Sequence, residues 1–232
     1  MTFPNLSTTI SSLYVGDVKN HWDGKAPSAI EKHGATEPQI LTETGFERDH
    51  QADLKVHGGP DKALHHYAAD HYVHWQKTLS SQTDKFVPGG VGENISTTGI
   101  TEKDVCIGDV FSAGSAQIQI SQGRQPCWKL NSHIGDNSMV KLFQQSGFTG
   151  WYYRVLTTGQ IATGDQLTLI KRPNPEWPLD TVIAARFNPA LSADVADALS
   201  QLPELAQNWR DAFSKKKDRA YKENTTARTK GH

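Results

Sequence analysis

Residues 115–122 alternate strictly: Ala116, Ile118 and Ile120 are apolar and their neighbours are polar. A period of two sends one face of a strand into a core and the other toward water, so this run predicts a half-buried strand. Residues 151–156 and 166–171 read the same way. Gly-Asp pairs at 16–17, 108–109 and 164–165 border such runs and suit tight turns. Together they predict an antiparallel sheet or barrel built from short strands. Two helices are expected to interrupt it. Over residues 63–80, Leu64, Ala68, Trp75 and Leu79 fall near one face at helical spacing. Over residues 139–145, Met139, Leu142 and Phe143 group together, with Gly147 placed to stop the helix.

The pattern changes after residues 171–178 (KRPNPEWP), where three prolines impose an extended connector. Beyond it, Val182, Ile183 and Phe187 form one amphipathic stripe. Ser192 is a good N-cap for a second helix carrying Val195, Leu199 and Leu202. Pro203 suits the start of a third, with Leu205, Trp209, Ala212 and Phe213. Three short helices bury little by themselves, so they should pack on the β region or on a partner. The division expected is 1–172 for the β domain and 173–232 for a helical segment with a basic tail.

Charge adds one feature. The chain is nearly neutral, at −1, yet residues 215–232 hold seven Lys/Arg against two acids. The plain reading is a solvated, frayed terminus; the sharper one is an electrostatic docking patch. No basic stripe with interleaved aromatics marks a nucleic-acid surface. Residues 1–10 lack the basic and apolar regions of a secretory signal, and no apolar run reaches membrane-spanning length. The cytoplasm is the expected compartment, and the oligomeric state is open, a homodimer included. Two cysteines, Cys106 and Cys127, are too few for a disulfide framework or an iron–sulfur cluster.

The candidate chemistry sits in four segments: 24–28 (GKAPS), 55–61 (KVHGGPD), 92–94 (GEN) and 124–130 (RQPCWKL). Gly58-Gly59 would let backbone amides approach a ligand closely, and clustered amides attract anions. His57 and Asp61 flank that turn and would orient each other or a ligand; a purely structural loop fits the same residues. Cys106, inside an apolar run, reads as an ordinary core residue. Cys127 follows a proline and lies between Arg124 and Lys129, and cations beside a thiol favour the thiolate that binds metals or acts as nucleophile. The ten histidines show neither HExxH nor a cysteine pair with zinc spacing, so they read as helix-surface and packing residues. Nucleophile-elbow, P-loop and dinucleotide fingerprints are absent.

KVHGGPD at 55–61, GENIS at 92–96, Val110-Phe111 after Gly108-Asp109, and SQGRQPCWKL at 121–130 together resemble the MOSC domain, found at the C-terminus of molybdenum cofactor sulfurases. With the helical segment that follows, the chain looks most like the YiiM-type members with their small 3-alpha domain. The resemblance implies an α+β fold, a β-barrel-like domain of mostly antiparallel strands with a C-terminal three-helix segment. It also implies a pyranopterin-dithiolene molybdenum cofactor whose metal is held by the cysteine matching Cys127, and reduction of N-hydroxylated compounds, purine bases among them. On that reading Lys25, Arg48, Lys55, Arg124, Lys129 and the Gly58-Gly59 turn are candidates for holding the cofactor's phosphate. His57, Asp61, Glu93 and Asn94 would bind the pterin edge or shape the pocket, with His57 and Asp61 alongside Cys127 as catalytic candidates. Electrons would come from a separate flavoprotein or ferredoxin. The alternative is a carrier of persulfide sulfur on Cys127, or of the cofactor, without reductase turnover.

Overall fold

The computed structural model describes residues 6–53, 58–218 and 220–231. In chain order the elements are β1 (Ser7–Thr9), β2 (Ser12–Val15), β3 (His33–Gly34), β4 (Gln39–Thr42), β5 (Gly45–Phe46), β6 (Leu64–Ala68), α1 (Asp70–Thr78), β7 (Ile95–Thr97), β8 (Val110–Ala113), β9 (Ala116–Gly123), α2 (Trp128–Ile134), α3 (Met139–Ser146), β10 (Trp151–Thr157), β11 (Gly159–Ile161) and β12 (Gln166–Lys171). Helices α4 (Leu179–Phe187), α5 (Ala193–Ser200), α6 (Gln207–Lys216) and α7 (Thr226–Lys230) complete the chain. Among the described residues, no helix is long and apolar enough to cross a membrane.

Nine strands form one sheet in the order β1-β12-β8-β9-β10-β6-β7-β2-β3, antiparallel except for the parallel β6–β7 pair. A small sheet, β11-β4-β5, lies apart. Strands β1 and β2 are separated by only Ile10 and Ser11, yet they pair toward opposite ends of the large sheet. The sheet therefore curves far enough for one short stretch of chain to reach both flanks. No ladder pairs its two edge strands among the described residues, so the fold is a mixed α+β one dominated by a large, mostly antiparallel sheet.

The alternation at 115–122 is realised in β9, where Ala116, Ile118 and Ile120 are buried and Gln117 is exposed. The expected helix over 63–80 is instead two elements, β6 and α1. Leu64–Ala68 are buried at every position because β6 lies inside the sheet between β10 and β7. A strand covered on both faces carries no period of two, and its apolar residues imitate a helical stripe. The short helix α2 was not foreseen. Gly147 ends α3 in the left-handed conformation at φ 74°, as the spacing implied.

Helices α4–α6 pack on the sheet and share its core: Leu179, Val182, Ile183, Leu199, Trp209 and Phe213 belong to the same apolar cluster as Ile118, Ile120 and Trp151. Ser192 caps α5, its Oγ accepting from the Val195 amide. Helix α6 starts at Gln207 rather than near Pro203, because residues 203–206 turn so that the Ala206 amide can donate to Ser121 O of β9 at 2.9 Å. A side chain at Gly123 would collide with Ile183 at 2.5 Å, and Trp209 lies 3.0 Å from the same point. A second cluster, with Tyr67, Trp75, Leu130 and Phe143, fills the space among β6, α1, α2 and α3.

The described residues of the basic tail are docked rather than frayed. Lys215 and Lys216 close α6, Glu223 pairs with Arg186 of α4, and Gly231 packs against the Trp128 ring. Since Trp209 joins the helical segment to the sheet, Trp209→Ala should cost about 3–5 kcal/mol and lower one common unfolding transition. Urea denaturation followed by both far-ultraviolet dichroism and tryptophan fluorescence measures this; a sheet transition left in place would show that the helices fold separately.

Candidate functional site

Strand β9 delivers the site. It ends at Gly123, and residues 124–127 lead directly into α2 with Cys127 at the N-cap in extended conformation. The Arg124 amide donates to Gly150 O at 3.0 Å, and its buried guanidinium donates to Val91 O at 2.6 Å. Lys129, also buried, reaches across to donate to Pro27 O at 2.7 Å. Each cation is pinned by a neutral carbonyl, which fixes its position without cancelling its charge. Cys127 is half-buried and opens onto a cleft of about 620 Å³ shared with Lys32, Lys62, Arg124 and Lys129.

The rest of the cleft wall is a polar network. Asn94 accepts the His65 amide at 3.0 Å and donates to Asp49 at 2.8 Å. Asp49 also accepts from the Gly16 amide at 2.7 Å and pairs with buried Lys32. Burial holds the Lys32 ammonium below the usual lysine range, opposed by Asp49. His65 is driven well below the ordinary imidazole value by burial, then by the charge of Arg124. Its Nε2 lies 3.3 Å from Thr149 O, and its buried Nδ1 has no hydrogen-bond partner among the described residues. A neutral ring donating through Nε2 leaves Nδ1 as an acceptor for a ligand N–H.

Cys127 also borders a second, smaller cavity of about 380 Å³, lined by Lys62, Gln122, Gln125, Tyr152, Asn208 and Arg228. It lies within electrostatic reach of Lys62, Tyr152 and Arg228. Burial keeps the Lys62 ammonium below the usual range, while Asp61, Asp53 and Cys127 pull it the other way. Gln122 Oε1, buried, has no hydrogen-bond partner among the described residues. Cys106 is the contrast: near 5% exposed, it is pushed up to about 11 by burial and the neighbouring Asp109 carboxylate.

The candidates from the sequence are thus only partly gathered. Asn94, Arg124, Cys127 and Lys129 line one cleft. Glu93 faces elsewhere: fully buried, it accepts from Tyr72 Oη at 2.6 Å and from the Gly89 and Val91 amides, bracing the turn before β7. Asp61 pairs with Arg154, with Nη2 at 2.7 Å, on a turn whose Gly59 adopts φ 95°. Lys25 is exposed over the Trp128 ring, and Arg48 is exposed outside the cleft lining. Gly58 is half-buried; Lys55 and His57 lie outside the described residues. Lys32, Asp49, Lys62, His65, Tyr152 and Arg228 were missed. They come from six separate stretches, and only the fold brings them together.

Among the described residues, no group of three or more His, Cys, Asp and Glu could hold a metal ion. A metal that brings ligands of its own to Cys127 is compatible with the described residues. The residues present fit such a group if it is anionic: one thiol for a soft metal, cations on neutral acceptors, and an orphaned imidazole nitrogen for a heterocycle.

Comparison with known proteins agrees in fold and family. The MOSC domain model matches residues 53–168, and the YiiM-like 3-alpha helix domain model matches residues 177–220. Protein YiiM of Escherichia coli is 37% identical over 205 residues, which is 88% of this chain and 91% of that protein. A protein named Reductase from Gibberella moniliformis is 36% identical over 184 residues; these are 78% of this chain but 32% of the longer relative. The crystal structure of YiiM from Geobacillus stearothermophilus superposes with TM-score 0.77 at 30% identity, covering 90% of this chain and 99% of that one.

Two histidines, buried His66 and half-buried His133, predict an acid-sensitive fold. His66 is held at about 3 by burial, and His133 at about 4, against 6.5 when exposed. Below 6.5 the unfolded chain takes up protons that the folded one refuses, so stability is full above that pH and declines as pH falls toward 4. His66 alone should contribute about 1 kcal/mol per pH unit over this window. Urea titrations at stepped pH measure the slope, which His66→Gln should flatten; a slope the substitution leaves unchanged would rule this out.

Proposed function

The chain belongs to the MOSC domain family, and from that premise we propose that it is a molybdenum-cofactor-dependent reductase of N-hydroxylated compounds, purine bases among them, with Cys127 as the protein's metal ligand. The observation that carries the reading is a single cysteine set in a cleft beside two buried cations, Arg124 and Lys129, whose hydrogen-bond acceptors are neutral carbonyls. When bound, a pyranopterin-dithiolene molybdenum group supplies two-electron redox chemistry at a metal already held by sulfur. The relative named Reductase supports the same class of chemistry.

Arg124, Lys129 and Lys32 would hold the anionic part of the cofactor, and His65 Nδ1 would accept from a heterocycle N–H. Asn94 and Asp49 fix the wall behind them. The overall reaction breaks the N–O bond of R–NHOH and yields R–NH2 and water, consuming two electrons and two protons. Lys62 borders both cavities beside Cys127, and burial makes its ammonium more acidic than usual. It would donate one proton to the departing hydroxyl from Nζ. The electrons would come from a separate flavoprotein or ferredoxin.

Protein made in a cofactor-competent host should contain molybdenum and should reduce an N-hydroxylated purine with an artificial electron donor. Cys127→Ser keeps the size and removes the soft ligand, so metal and turnover should both disappear while the thermal midpoint stays. Wild-type protein carrying sulfane sulfur on Cys127 and no molybdenum would instead establish the carrier role.

A further inference from the structure

A second basic cleft lies on the other side of the Cys127 loop, between α3, α4 and the C-terminal segment. It is an open depression of about 1310 Å³, and Lys141, Arg186, Lys216, Lys222 and Arg228 contribute to its lining with, among the described residues, a single carboxylate, Glu223. Arg186 and Glu223 satisfy each other through two contacts of 2.7 Å. The remaining cations are not neutralised in this way. Lys216 donates to Ala185 O at 3.3 Å and Asn188 O at 2.6 Å, both neutral carbonyls. Arg228 donates to Pro126 O at 2.6 Å and faces the amide oxygens of Gln125 and Gln144 when those are turned toward it.

Two further observations point to an anionic ligand. Arg186 is about 95% buried, and its Nε has no hydrogen-bond partner among the described residues, an uncommon condition for a guanidinium. Lys216 is pushed down to about 8 by burial and by the Arg186 charge, against the opposing pull of Glu223, as befits a cleft in which cations outnumber carboxylates. The cleft is not purely electrostatic: Phe187 and Tyr221, both half-buried, supply ring faces beside the cations, and Gln144 and Gln145 supply amides. Cations with aromatic faces and amides in one concave site match a phosphate joined to a flat heterocycle.

We propose that this cleft is a binding site for a nucleoside phosphate, with the phosphate on Lys216, Lys222, Lys141 and Arg228 and the base against Phe187 and Tyr221. The site is separate from the cleft proposed for the cofactor and does not require the cofactor to be present. Arg228 lines both this cleft and the small cavity at Cys127, so a bound phosphate would also steady the loop that carries the cysteine.

Calorimetric titration of the full chain with adenosine monophosphate, adenosine and inorganic phosphate tests the assignment. The monophosphate should bind at least about tenfold more tightly than adenosine, because charge-assisted contacts are the stronger part of such recognition. Phosphate should compete with it, and Cys127→Ser should bind it normally. Lys141→Glu combined with Lys222→Glu alters two exposed side chains, keeps the buried Arg186–Glu223 pair, and should weaken monophosphate binding at least about tenfold. Monophosphate affinity equal to that of adenosine would overturn the proposal. So would full binding in the double variant, which would place the anion in the Cys127 cleft instead.

Discussion

The structure depends on cations that are fixed without being neutralised. Arg124 and Lys129 are buried beside Cys127, and desolvating a charge is costly unless something replaces its water. Backbone carbonyls, Val91 O and Pro27 O, do the replacing. A carbonyl accepts the hydrogen bond while leaving the net charge in place, so the field in the cleft stays positive. Had carboxylates taken those positions, the cleft would be a closed set of salt bridges with nothing to offer an anion. The Lys32–Asp49 pair at the far wall shows that the chain does use compensation where it is needed.

The geometry around the cysteine follows from the same frame. Gly123 lets Ile183 and Trp209 press against the end of β9, which anchors the loop from one side. Arg228 holds Pro126 O from the other, and Gly231 meets the Trp128 ring just beyond. The cysteine is thus gripped between sheet, helical segment and terminus, with a cavity on each side. Its rigidity is borrowed from elements distant in sequence.

That distance explains what could be read from the sequence. The strand at β9, helix α3 with its Gly147 stop and the cap at Ser192 are local features, and each was legible. The helix expected over 63–80 failed because β6 is covered on both faces, and burial on both sides erases the alternation that marks a strand. Glu93 was grouped with Asn94 by adjacency, yet adjacent residues in this extended segment face opposite ways: Asn94 toward His65 and Asp49, Glu93 toward Tyr72. Lys32, Lys62 and His65 carry no local signal at all. An isolated lysine or histidine becomes part of a site only when the topology brings it to the same cavity.

The C-terminal segment shows the same point with the opposite sign. Its composition suggested a solvated basic tail, because charge runs usually are. Composition does not record that Arg186, an interior residue of α4, needs a partner, and that Glu223 is the carboxylate that reaches it. Once that pair is made, Tyr221 and Lys222 are placed on the wall of the basic cleft and Arg228 comes within reach of the Cys127 loop. A terminus fastened beside the Cys127 loop would favour retention of a bound group over repeated transfer to partners, which is the sense in which the proposed reductase reading fits this arrangement more readily than a carrier one.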